Sequence, residues 1–132
     1  MPLMVTALYA GVLGILGVAL AFHAGTGRLK QRISLGTADD VGLLIRVRRH
    51  GNFTEYVPLA LVLLAVLELN GTSATILHLL GSTLLIGRVI HPVGLSMENM
   101  NHPLRFLGTL LTMLVLIISA VIAIWQYLTA VM

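Results

Sequence analysis

Four long apolar stretches, separated by short polar segments rich in glycine, asparagine and arginine, organise the chain. The first runs from Leu3 to Phe22 without a charged residue. About 20 predominantly apolar residues in helical conformation cross a hydrocarbon layer about 30 Å thick. The pattern therefore predicts transmembrane helices over residues 3–23, 38–69, 73–91 and 103–131. The polar stretch after His23, with Gly25, Gly27, Arg28, Lys30, Arg32, Ser34 and Gly36, reads as a loop. Thr37-Ala38-Asp39-Asp40 resembles a capping box and marks the second start. Pro58 lies inside that helix and should kink it, because its nitrogen donates no hydrogen bond. Asn70-Gly71-Thr72-Ser73 reads as a tight turn, with Gly71 as the stop and Thr72 or Ser73 capping the third helix. That helix should end at Pro92, a polar loop should continue through Asn101, and Pro103 suits the first position of the fourth.

Composition agrees: 58% of residues are hydrophobic and only 10% charged, and the mean hydropathy is +0.99. These values lie outside the soluble range. The expectation is an all-α integral membrane protein, a single four-helix domain over residues 1–132. So short a chain leaves little room for a deep polar pocket inside one copy, which favours an oligomer. The N-terminus has no basic segment, and its apolar stretch is too long for a signal-peptide core, so it reads as a span. Gly11, Gly14 and Gly17 sit mid-span with no strand before them and read as packing positions, not as a phosphate loop. Cysteine is absent, which excludes disulfides, thiolate metal ligands and a cysteine nucleophile.

A net charge of +3 does not point to nucleic acid, since the basic residues are few and interleaved with lipid-length runs. Their placement is informative. Arg28, Lys30, Arg32, Arg46, Arg48, Arg49, Arg88 and Arg105 all lie in or beside the first and third polar segments. The positive-inside rule makes those segments cytoplasmic and puts both termini on the opposite side.

The same end carries the candidate chemistry. Arg48, Asn52, Glu55 and Leu59 follow helical spacing, so the three polar groups share one face of the second helix. Charges near hydrocarbon are costly unless paired, turned inward or bound to a polar guest. Two readings stand: an internal Arg48–Glu55 network that fixes helix packing, or a site for an anion. Arg88 ends the third helix and Arg105 begins the fourth at the same depth, which adds weight to an anionic guest over simple anchoring by long side chains. The five histidines show no H-x-x-x-H spacing, so no metal site is expected. His78 reads as a hydrogen-bonded contact between helices, and Glu68 as a solvated side chain at the far end of the second.

The segment Arg48-Arg49-His50-Gly51-Asn52-Phe53-Thr54-Glu55-Tyr56-Val57-Pro58-Leu59 resembles the signature of the MAPEG family, the membrane-associated proteins of eicosanoid and glutathione metabolism. The pattern is R-x-x-x-N-x-x-E-Y-x-P at the cytoplasmic end of the second of four helices. The likeness extends to Arg88-Val89-Ile90-His91, Gly94-Leu95 and Arg105-Phe106-Leu107-Gly108, and so covers essentially the whole chain. It implies a homotrimer with glutathione, as cosubstrate, bound between neighbouring subunits. By position, Arg48, Asn52 and Glu55 would hold the peptide with Tyr56 beside them. Arg88 would support the site, and Arg105 would stabilise the thiolate. Where eicosanoid-forming members carry tyrosines after the helix-three arginine, this chain has His91 and Leu95. His91 is the substitute hydrogen-bonding partner, and the sequence is similar to the bacterial branch of the family. The implied function is a glutathione-dependent transferase or peroxidase in a bacterial inner membrane, acting on lipophilic electrophiles or lipid hydroperoxides. The alternative is a non-catalytic protein of the same fold that binds a thiol or lipid.

Overall fold

The computed structural model describes residues 2–95 and 102–132. Four helices run in order: α1 Met4–Gln31, α2 Val41–Leu69, α3 Ala74–Gly94 and α4 Pro103–Val131. All four are long and apolar enough to cross a membrane. Their up-down order places the end of α1, the start of α2, the end of α3 and the start of α4 at one pole of the bundle. The expected loop over residues 96–101 lies outside the described residues.

The bundle core is a file of leucines and other apolar side chains: Leu13 and Leu20 from α1, Phe53, Val57, Ala60, Leu64 and Leu67 from α2, Leu77, Leu80 and Leu84 from α3, and Val115 from α4. Among the described residues α2 and α3 each touch all three other helices, while α1 and α4 do not touch each other. The cross-section is thus a rhombus with α2 and α3 on its short diagonal. Ile15, Val18, Val62, Leu79, Ile117 and Val121 point outward, as expected where the solvent is hydrocarbon. The tightest crossing joins α3 to α4, where a Cβ on Gly108 would sit 2.7 Å from both the Gly87 carbonyl oxygen and the His91 Cβ. Small residues let these backbones approach where lipid supplies no hydrophobic drive. Of the three mid-span glycines of α1, only Gly17 has this role, against the Phe53 ring; Gly11 and Gly14 face open space.

Several boundaries differ from those the sequence predicts. The α1 helix does not end at residue 23 but continues to Gln31. Ala24 and Gly27 are buried there, and a Cβ on Gly27 would meet the side chains of Leu43 and Arg46. Packing against the first turns of α2 thus outweighs the low helix propensity of Gly25 and Gly27. The helix closes in a Schellman arrangement: Ile33 N–H donates to the Arg28 carbonyl (3.1 Å) and Arg32 N–H to that of Leu29 (3.3 Å). Arg32 takes the left-handed conformation, φ 55°, that this motif normally gives to glycine.

The N-cap of α2 is Asp40, whose carboxylate accepts from Leu43 N–H. Thr37 serves only through its carbonyl, which accepts from Asp40 N–H. Pro58 is contained within α2, and Pro92 does not stop α3, which runs two residues further to Gly94. At the opposite pole Gly71, with φ 82°, makes the turn expected of it. Ser73 occupies the cap position of α3 without a side-chain cap bond. Thr72 instead accepts from the Gln126 amide at 2.8 Å, while Asn70 donates to the Gln126 carbonyl oxygen at 3.1 Å. Pro103 begins α4 as expected.

Glu68 corrects a residue-level expectation. It is buried, not solvated, and accepts from Val5 N–H at 2.9 Å and Thr6 N–H at 2.7 Å. Its carboxylate caps the first turn of α1 from another helix, where the unpaired N–H groups and the positive dipole end favour an anion. His78 keeps its expected role: the Tyr9 hydroxyl lies 3.1 Å from its Nδ1 and donates to its carbonyl.

Candidate functional site at the basic pole

A recess of about 310 Å³ opens at the basic pole between α2, α3 and α4. Its walls are Leu44, Ile45, Arg48 and Asn52 from α2, His91 and Leu95 from the end of α3, and Arg105 and Thr109 from the start of α4. The up-down topology brings these residues together although they are spread over 66 positions, from 44 to 109. The volume lies at the lower limit of the roughly 300–1,000 Å³ usual for small-molecule sites. A single copy thus holds a small recess open on one side rather than a deep polar pocket.

The stripe on α2 arises from helix periodicity, since residues four apart lie one above the other. Leu44, Arg48 and Asn52 form one such column and supply the near wall. Arg48 Nη1 lies 3.2 Å from Glu55 Oε1, with the two side chains 53% and 47% exposed. This is the one ion pair among the described residues. It is open to solvent and is not a buried structural pair. Glu55 and Tyr56 lie outside the recess lining, and Glu55 reaches it only through Arg48.

Arg88 stands behind the wall. Only 1% of it is exposed, so it acts through neighbours. Its Nη2 donates to Asn52 Oδ1 at 2.6 Å and its Nη1 to the Thr112 hydroxyl at 3.4 Å. The guanidinium also lies 5.9 Å from the centroid of the Phe53 ring, within cation–π range. The Thr112 hydroxyl donates in turn to the Gly108 carbonyl at 2.8 Å. A guanidinium has only donors, so the Asn52 oxygen must face it. The Asn52 NH₂ is then left to serve the recess.

His91 is 2% exposed, and its Nδ1 is buried without a hydrogen-bond partner. An orphaned buried polar atom costs about 1–3 kcal/mol unless a ligand or water satisfies it. Arg105, half-buried, lines the recess from α4. Arg49, from the next position on α2, donates to the Leu95 carbonyl at 3.1 Å and ties down the end of α3. The lining thus presents two guanidiniums, an amide donor and an imidazole, with a carboxylate at the rim. Such a set has the chemistry to complement an anion that offers a carboxylate or other two-point acceptor.

The structure brings Arg48, Asn52, His91 and Arg105 to one recess, sets Arg88 behind it, leaves Glu55 joined to it through Arg48, and leaves Tyr56 outside its lining. Leu44, Ile45, Thr109 and Thr112 did not emerge from sequence. The signal was present for three of them: Leu44 and Ile45 precede Arg48 by one turn, and Thr109 comes one turn after Arg105.

The MAPEG family model matches residues 6–125, a stretch that enters all four helices. The chain is also 36% identical over 91 residues to the inner membrane protein YecN of Escherichia coli K12, covering 69% of this chain and 70% of that protein. The same figures hold for YecN of Escherichia coli O6:H1. No solved structure gives a significant match. With the helix-two motif forming the wall of a cationic recess and the family match spanning the bundle around it, the chain belongs to the MAPEG family.

Proposed function

We propose that the protein is a glutathione-dependent membrane transferase or peroxidase acting on lipophilic electrophiles or lipid hydroperoxides. The observation that carries this is the convergence of Arg48, Asn52, His91 and Arg105 from three helices on one recess at the basic pole. Glutathione brings two carboxylates, an ammonium and a thiol. Arg48 and the Asn52 NH₂ hold a carboxylate, Glu55 shares its charge with the ammonium, and Tyr56 flanks them. Arg88 fixes the Asn52 amide, and the free His91 Nδ1 bonds the peptide or its sulfur. Arg105 is the catalytic residue, its cation held beside the thiolate. A free thiol titrates near pH 8.5. Each unit by which a fixed cation lowers that value corresponds to about 1.4 kcal/mol and raises the thiolate fraction about tenfold while the thiol form still dominates.

In the transferase reaction the thiol loses its proton, the sulfur lone pair forms a C–S bond, and the electrophile's leaving group departs with its electron pair. In the peroxidase reaction the thiolate attacks one peroxide oxygen. The O–O bond breaks to give an alcohol and a sulfenic acid, which a second glutathione converts to disulfide and water. The open side of the recess is where a neighbouring copy in a homotrimer completes the site and where a lipophilic substrate enters from the bilayer. The cationic pole faces the cytoplasm and both termini the other side, in a bacterial inner membrane as named for the YecN relatives.

The test is calorimetric titration of the detergent-solubilised protein with glutathione, followed by turnover of a chromogenic aryl halide. Arg105→Ala should retain binding and lose turnover by at least about 100-fold, as when a preorganised charge is removed from a reacting centre. Absence of any binding heat in the unaltered protein would end the proposal. The second reading, a thiol binder without turnover, is favoured by His91 and Leu95 standing where the eicosanoid-forming members have tyrosines. Binding without consumption of electrophile or peroxide selects it.

A further inference from the structure

Thr112 is fully buried and lies outside the recess lining, yet its hydroxyl joins α3 to α4 directly behind the recess wall. Its one proton goes to the Gly108 carbonyl, a turn earlier, at 2.8 Å. A hydroxyl has one donor and two acceptor lone pairs, so with that proton committed the oxygen is left to accept. Arg88 Nη1 donates to it at 3.4 Å, and Nη2, the other tip of the same planar fork, donates to Asn52 Oδ1 at 2.6 Å. The Nε of Arg88 has no partner. Among the described residues, Asn52 and Thr112 are therefore the two groups that set the rotation of this guanidinium. The Phe53 ring, 5.9 Å away, attracts the charge without selecting a rotation.

We propose that Thr112 is a positioning residue: by orienting Arg88 it locks the Asn52 carboxamide with its oxygen inward and its NH₂ toward the guest. The site then prefers a carboxylate over an ester. This rests on the glutathione reading above and names what selects the carboxylate there. A carboxamide is two-faced. Turned over, Asn52 would offer the recess an acceptor, which a carboxylate repels. Nothing in the amide itself chooses between the two faces. The sealed guanidinium does, because it has only donors, and a hydrogen bond from a charged group is roughly twice as strong as a neutral one. Thr112 supplies its second anchor. That anchor has little room to move, since a Cβ on Gly87 would lie 3.3 Å from Thr112 Oγ1 at the crossing of α3 and α4. A rigid support of this kind is what holds a binding group in its productive orientation.

The experiment compares Thr112→Val, which keeps the shape and removes the hydroxyl, with Thr112→Ser, which keeps the hydroxyl. NMR of the detergent-solubilised protein carrying isotope-labelled asparagine reads the Asn52 NH₂, assigned by its loss in Asn52→Asp. The unaltered protein and Thr112→Ser should show one rigid NH₂ pair with a high heteronuclear NOE. In Thr112→Val the NOE should fall and the shifts should move toward those of a free amide. Calorimetric titration with glutathione and with glutathione diethyl ester then reads selectivity. The diester should bind at least about tenfold more weakly to the unaltered protein and to Thr112→Ser, the scale of a charged hydrogen bond. Thr112→Val should shrink that ratio at least about threefold, in protein that stays folded by circular dichroism. Unchanged Asn52 signals in Thr112→Val overturn the assignment. So does an equal loss of affinity for both ligands, which marks a packing role alone. If Thr112→Val does not fold, Arg88→Lys reads the same relay, because a compact ammonium does not span Asn52 and Thr112 as the planar fork does; a rigid Asn52 NH₂ in that variant also overturns the assignment. An unaltered protein that binds neither ligand ends the glutathione reading, while the Asn52 signals still decide the role of Thr112.

Discussion

At the scale of single residues, the basic pole separates charges that hold the fold from charges open to a guest. Arg88 is sealed behind the recess, with Nη2 on Asn52, Nη1 on Thr112 and its guanidinium near the Phe53 ring. Arg48 is half-exposed and paired only with Glu55. An exposed ion pair contributes about 0–1 kcal/mol. Arg48→Ala should therefore shift the unfolding free energy by less than about 1 kcal/mol in a denaturant titration, while glutathione affinity falls tenfold or more by calorimetry. A large loss of stability instead would make the pair a packing device. Glu68 behaves in the opposite way. It accepts two N–H groups of the α1 start from a buried position, so Glu68→Ala should cost about 1–2 kcal/mol, the range for losing a helix cap, and leave ligand binding unchanged. An unaltered melting temperature would show that water replaces the cap without loss.

At the scale of helices, the crossing of α3 and α4 carries the site as well as the core. Gly87 and Gly108 meet backbone to backbone directly beside His91. Overpacking such a contact typically costs about 1–3 kcal/mol. Gly108→Ala should lower thermal stability by that amount and, by displacing His91, weaken glutathione binding, both measurable on one detergent preparation. Gly11→Ala is the matched control, because a methyl there meets open space. It should be neutral or gain up to about 1 kcal/mol through helix propensity. A loss at Gly11 would reveal a neighbouring copy packed on α1.

At the scale of the whole molecule, α1, α2 and α4 have 28, 29 and 29 residues. At 1.5 Å per residue each is about 42–44 Å long and exceeds the roughly 30 Å hydrocarbon core. The excess of α1 and α2 at the basic pole, from Ala24 to Gln31 and over the first turns of α2, builds a cationic platform at that membrane face. In the proposed topology that platform faces the cytoplasm. A membrane-impermeant maleimide should label Leu35→Cys only after access to the cytoplasmic side, and Pro2→Cys from the opposite side of intact spheroplasts. The reverse pattern would overturn the cytoplasmic placement of the recess.

The hydrophobic pattern by itself determined four membrane helices, because crossing hydrocarbon forces every backbone group into internal hydrogen bonds over a length that twenty apolar residues advertise. Helix periodicity likewise put Arg48, Asn52 and Glu55 on one face, and the family signature was legible because it lies within a few turns of α2. Tertiary structure decided the relations between distant segments. Glu68 finds its partners in the backbone of Val5 and Thr6, which sequence does not display. The last turns of α1 are helical only because α2 packs against Ala24 and Gly27. Arg88 became a support behind the recess, and not a contact within it, through the approach of α3 to α4 at a pair of glycines. Local spacing fixes which face of a helix a residue occupies; only packing fixes what that face meets.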